Sequence, residues 1–143
     1  MSNIKETLEE LLVVNGYNQK TFAEKARLNE SCVTNYIHDG TPPSVDHLVK
    51  IAEFFNCSTD FLLGREELND KLSFKQCPLF CERLRELPKL FGCNNEEFCK
   101  KARIARSSYF RWKNGERCPS LDNIIRIAEA LDCRVDFILG RES

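Results

Sequence analysis

The chain contains the same segment twice. Leu62-Leu63-Gly64-Arg65-Glu66 returns as Ile138-Leu139-Gly140-Arg141-Glu142, and an offset of 76 carries most of the first half onto the second. At that offset Phe22 meets Phe98, Lys25-Ala26-Arg27 meets Lys101-Ala102-Arg103, Ser44 meets Ser120, and Asp60-Phe61 meets Asp136-Phe137. Coincidences this dense at one spacing mean two copies of one domain in tandem. The expected boundaries are a first domain over 1–66, a linker over 67–78 and a second domain over 79–143. Each copy is too small for a large core, which favours compact helices.

Apolar spacing divides each copy into five short helices. Ile4, Leu8, Leu11 and Leu12 form a stripe ending near Asn15-Gly16, matched by Phe80, Leu84 and Leu87. Pro88 should bend or shorten that second-copy helix, because proline donates no backbone hydrogen bond. Second helices are predicted over Gln19 to Ala26 and Asn95 to Ala102. Asn29 is placed to cap a third helix reaching Ile37, whereas Ala105 holds the equivalent position and caps poorly. Ser44 and Ser120 cap the fourth helices, whose buried faces read as Val45, Leu48, Val49, Ala52 and Phe55, and as Leu121, Ile124, Ile125, Ala128 and Leu131. A short fifth helix follows in each copy, and the linker, with Leu68, Leu72 and Phe74, reads as a helix extension and a turn. The fold class is all-α, two tandem five-helix domains.

Charge separates the copies. Split at Gln76, the first half holds eight Lys/Arg against twelve Asp/Glu, and the second thirteen against ten. The more basic second half is the better match for a polyanion. Eight cysteines would suit a disulfide framework in a secreted chain, but the N-terminus carries no apolar run and no stretch approaches membrane-spanning length. The expectation is a reduced, cytoplasmic protein with no membrane association. Cys57 and Cys133 sit at equivalent apolar-flanked positions, as small buried hydrophobes do. Cys77 and Cys81 have no second pair to complete a zinc site, and no nucleophile arrangement or glycine-rich phosphate loop is present. No metal, no cofactor and no catalysis are expected.

Two helices joined by a very short turn, the second carrying small polar and basic residues, suit a DNA major groove. The run Asn95-Glu96-Glu97-Phe98-Cys99-Lys100-Lys101-Ala102-Arg103-Ile104-Ala105-Arg106-Ser107-Ser108-Tyr109-Phe110-Arg111-Trp112-Lys113-Asn114-Gly115 resembles the helix-turn-helix domain of phage lambda-type repressors and Cro proteins, the XRE family. The resemblance covers nearly the whole chain, once per copy. It implies that the third helix enters the groove, so that Arg106, Ser107, Ser108 and Arg111 reach bases. It further implies phosphate contacts from Lys113, Asn114 and Arg117, with Asn95 where the family often has glutamine and Arg103 at the turn where it often has glycine. Tyr109 and Trp112, three apart, read as core rather than as stacking platforms.

The first copy keeps this framework with a different surface. Gln19 occupies the family's glutamine position, and Arg27, Ser31, Thr34, Asn35 and His38 are its weaker DNA-contact candidates. Glu30 stands where the second copy has Arg106, and a carboxylate there repels phosphate. An ordinary solvated face explains any single surface charge, but Arg106, Arg111, Lys113 and Arg117 gather on one element. The leading expectation is a sequence-specific DNA-binding transcriptional regulator, acting as a repressor by promoter occlusion on double-stranded DNA. The alternative is a protein–protein interaction module, antirepressor-like or antitoxin-like, on the same fold. Self-association, an intrachain pseudo-dimer, or a regulatory protein partner held through the first domain are the assemblies compatible with two copies.

Overall fold

The computed structural model describes residues 4–68 and 73–142, and the chain divides into two compact units, Met1–Leu72 and Ser73–Ser143. Among the described residues every regular element is a helix. The first unit contains α1 (Ile4–Asn15), α2 (Gln19–Ala26), α3 (Glu30–Thr34), α4 (Val45–Phe55) and α5 (Thr59–Leu62). The second contains α6 (Phe80–Leu90), α7 (Asn95–Ala102), α8 (Arg106–Lys113), α9 (Leu121–Ala130) and α10 (Val135–Leu139). No helix among these residues is long and apolar enough to cross a membrane.

Side-chain caps set most helix starts. Asn18 accepts from the Thr21 amide, Asn29 from Ser31, Ser44 from His47, Ser58 from Phe61 and Ser120 from Asn123. Asn94 and Glu97 close a reciprocal capping box at α7. Ala105 supplies no cap, so α8 begins with its first amide groups open.

In the first unit Leu8, Phe22, Val33, Leu48, Ile51 and Leu62 are fully buried, and Phe22 lies against Phe54 and Phe55 at ring distances of 5.3 and 5.4 Å. The second repeats this with Leu84, Phe98, Tyr109, Ile124, Ile127 and Ile138. The deepest positions of α4 and α9 include Ile51 and Ile127, outside the predicted stripe, while Val45, Val49, Phe55, Ile125 and Leu131 are half-buried. The buried stripe is thus rotated toward Ile51 and Ile127 in helices that α5 and α10 pack against. Cys57 is buried, but Cys133 is half-buried.

Three local expectations are corrected. The helix holding Pro88 does not stop at the proline: α6 runs on to Leu90, one place short of the position equivalent to the end of α1. Pro88 lies in the last turn, where only the bond to the Leu84 carbonyl is forfeited, and its own carbonyl accepts from Cys93 at 2.9 Å to close the helix end. The described part of 67–78 contains no helix; Asn69 to Leu72 lie outside the described residues. Ser73 to Pro78 instead has no regular structure and belongs to the second unit, with Lys75 N–H donating to the Arg141 carbonyl at 2.7 Å and the Cys77 thiol donating to that of Leu139. A Cβ at Gly140 would meet the Pro78 ring at 2.9 Å, so glycine is required where this segment crosses α10. The third correction concerns the first recognition helix: α3 is α-helical only to Thr34 and continues as a π turn over Asn35–Asp39.

Candidate nucleic-acid interface

Three residues separate α7 from α8, and the geometry of the first sets the angle between them. Arg103 is in the left-handed region at φ 57°, and Ile104 N–H reaches back to the Cys99 carbonyl at 2.9 Å. The first unit repeats the turn, with Arg27 at φ 59° and Leu28 N–H on the Ala23 carbonyl at 2.8 Å. A left-handed backbone is strained for any side chain bearing a Cβ, so arginine persists here at a cost in stability. Its guanidinium is exposed in both units.

Helix α8 is held from its inner face. Tyr109 is fully buried and Trp112 is 8% exposed, as their spacing predicts. The Tyr109 hydroxyl donates to Asn95 Oδ1 at 2.9 Å, and burial, with Cys99 and Cys93 nearby, pushes its pKa up. Burial likewise raises the Cys99 thiol, partly offset by the Arg106 charge. At the far end Arg85 of α6 donates to the Lys113 carbonyl at 3.3 Å, placing a cation at the negative end of the helix.

The outer face collects most of the predicted contact residues. Arg106, Ser107, Arg111, Asn114 and Arg117 are exposed, with Arg103 beside them, and none makes a side-chain hydrogen bond or ion pair among the described residues. Ser108 and Lys113 are half-buried. Ser108 lines a dent of about 290 Å³ with Arg103, Asn123 and Arg126, and the Lys113 ammonium sits over the Tyr109 ring, 5.8 Å from its centroid. Two residues on this surface were missed from the sequence. Arg126 of α9 lines the same dent, and Phe110, next to the buried Tyr109, is 41% exposed.

The equivalent surface of the first unit is closed on itself. Gln19 Oε1 accepts from the Thr34 hydroxyl at 3.2 Å, and with its oxygen engaged its amide nitrogen donates to His38 Nε2 at 3.0 Å. The Ser31 hydroxyl is bound to Asn29 at 2.7 Å. Of the six weaker candidates, Arg27 and Asn35 remain without a side-chain partner among the described residues, and Glu30 is exposed between them. The π turn adds one residue before the left-handed Gly40, which is why that glycine falls one place later than Gly115. Tyr36, a buried residue of the turn, is bound to His47 Nδ1, and its pKa is raised to about 12, chiefly by burial.

Paired helices of this geometry define a class, and comparison with known proteins gives the same one. The helix-turn-helix family model matches twice, over residues 8–62 and 83–138, so the chain belongs to the helix-turn-helix family of DNA-binding transcriptional regulators, which act by binding and not by catalysis. It is 33% identical over 105 residues to the HTH-type transcriptional regulator ImmR of Bacillus subtilis (strain 168), covering 70% of this chain and 80% of that protein. It is 37% identical over 62 residues to the uncharacterized HTH-type transcriptional regulator YobD of the same organism, covering 43% of this chain and 55% of YobD. Over 60 residues it is 30% identical to RstR, the cryptic phage CTXphi transcriptional repressor of Vibrio cholerae, covering 42% and 54%. The chain thus spans just over half the length of YobD and RstR. No solved structure matches it significantly.

Proposed function

We propose that the chain is a cytoplasmic repressor whose second domain reads a short operator and excludes polymerase by occupying the promoter. The observation that carries this is the exposed set Arg106, Ser107, Arg111, Asn114 and Arg117, which gathers donors on α8 and the loop after it, with no partner among the described residues. Arginine pairs bidentately with guanine, and the remaining donors suit phosphate oxygens. RstR, a transcriptional repressor among its relatives, supports the direction of regulation. The test is selection from a randomised duplex pool with the intact chain, followed by transcription from a promoter carrying the selected motif. Enrichment of one motif and loss of transcript are expected. Binding no tighter than the roughly micromolar or weaker non-specific level would overturn the reading.

A second role, for the first domain alone, is to hold a regulatory protein or a second copy of the chain. It is favoured by the mutual bonding of Gln19, Thr34 and His38 and by Val13 and Val14, each 80% exposed on α1. Changing both valines to serine would then abolish self-association or partner capture in sedimentation experiments while the operator is bound as before. Loss of operator binding would contradict it.

A further inference from the structure

Phe110 stands on the face of α8 that the proposed DNA reading assigns to the groove. It follows Arg106 by four residues and Ser107 by three, and it precedes Asn114 by four, so all share one stripe. It is 41% exposed, while its neighbours Tyr109 and Trp112 are buried. Its ring meets Tyr109 edge-on at 5.6 Å, so an inner aromatic supports it from below. A lone surface phenylalanine is ordinary on a protein. This one shares its stripe with the exposed polar residues Arg106, Ser107 and Asn114, and the exposed Arg111 follows it in the chain. At the same position the first unit has Thr34, which is half-buried and bonded to Gln19.

Within a major groove the one apolar feature on a base edge is the C5-methyl group of thymine. We infer that Phe110 is a specificity-determining residue that packs on a thymine methyl between the bases met by Arg106 and Arg111. The inference rests on the DNA reading proposed above and adds an apolar contact to it. Arginine and serine select hydrogen-bonding edges, whereas the phenylalanine selects a methyl group, so the two kinds of contact discriminate independently. A 5-methylcytosine presents the same methyl on a different edge.

The experiment uses the intact chain and its selected operator. Each thymine is replaced in turn by deoxyuridine, which lacks only the methyl. One replacement should weaken binding about fourfold, the scale of one buried methyl group. Phe110→Ala loses the edge-on contact with Tyr109 and should fold with a modestly lower Tm; it should bind the thymine and deoxyuridine operators equally. Phe110→Leu should keep part of the preference. At the same position, cytosine and 5-methylcytosine should differ for the parent and not for Phe110→Ala. Indifference of the parent to every deoxyuridine, or full sensitivity retained by Phe110→Ala, would overturn the inference while leaving the operator in place. Failure to select any operator would overturn the DNA reading and this inference with it.

Discussion

The Tyr109 hydroxyl donates to Asn95 Oδ1 at 2.9 Å, tying the recognition helix to the first residue of the helix before it. One buried ring therefore fills the core and fixes the side chain at the family's glutamine position. Tyr109→Phe keeps the ring and removes the tie. The expected loss is about 0.5–1.5 kcal/mol of stability, a few degrees in Tm for a domain of this size. Operator affinity should fall as well, because Asn95 is no longer oriented. Calorimetry and fluorescence anisotropy check the two effects separately; a lowered Tm with unchanged affinity would remove Asn95 from the interface.

The left-handed arginines give a prediction of opposite signs. Arg103→Gly and Arg27→Gly should each stabilise their domain by about 1 kcal/mol, since glycine adopts φ near +60° without strain. Arg103→Gly should nevertheless weaken DNA binding and reduce the salt slope by about one counterion, as loss of one phosphate contact does. Arg27→Gly should leave DNA binding nearly unchanged. Thermal melts and a salt titration of the two variants decide it, and equal losses of affinity would contradict the ranking of the domains.

Most of the fold was legible because its signals are local. Asn29, Ser44 and Ser120 sit where they cap, and α2 and α7 have the predicted bounds because both end in the same left-handed turn. The π turn at Asn35–Asp39 had a trace in the sequence, a glycine displaced by one, but a displaced glycine does not say which turn widens. The route of Ser73 to Pro78 depends on contacts with Leu139 and Arg141, more than sixty residues away, which no local pattern encodes. On the interface, spacing separated Tyr109 and Trp112 from Arg106 and Arg111. It could not show that Gln19, Thr34 and His38 bond one another, nor that Phe110 turns outward.

Alkaline pH should weaken the first domain through Tyr36. Its pKa in the folded state is raised to about 12 from 10.0 by burial, so the folded state binds its proton more tightly than the unfolded state does. The stabilisation is fully present below pH 10 and is lost as pH rises from about 10 to 12. Tyr36→Phe cannot ionise, so it should start less stable at neutral pH, lacking the bond to His47, yet lose less on going to pH 11. Denaturant melts of both proteins across that range test the sign. Parallel stability curves would show that Tyr36 does not govern the alkaline limb.

The central claim is that the second domain dominates DNA reading, and paired substitutions in the intact chain test it most directly. Arg106→Ala with Arg111→Ala removes the two outward arginines of α8; Arg27→Ala with Asn35→Ala removes the two of the first domain's six contact candidates whose side chains lack a partner among the described residues. Affinity for the selected operator and for a random duplex is measured for each by fluorescence anisotropy. The first pair should lose roughly a hundredfold on the operator, from two base contacts of about 1–3 kcal/mol each, and much less on the random duplex. The second pair should lose only a few-fold on either. An equal or larger loss of operator binding from the first-domain pair would contradict the account.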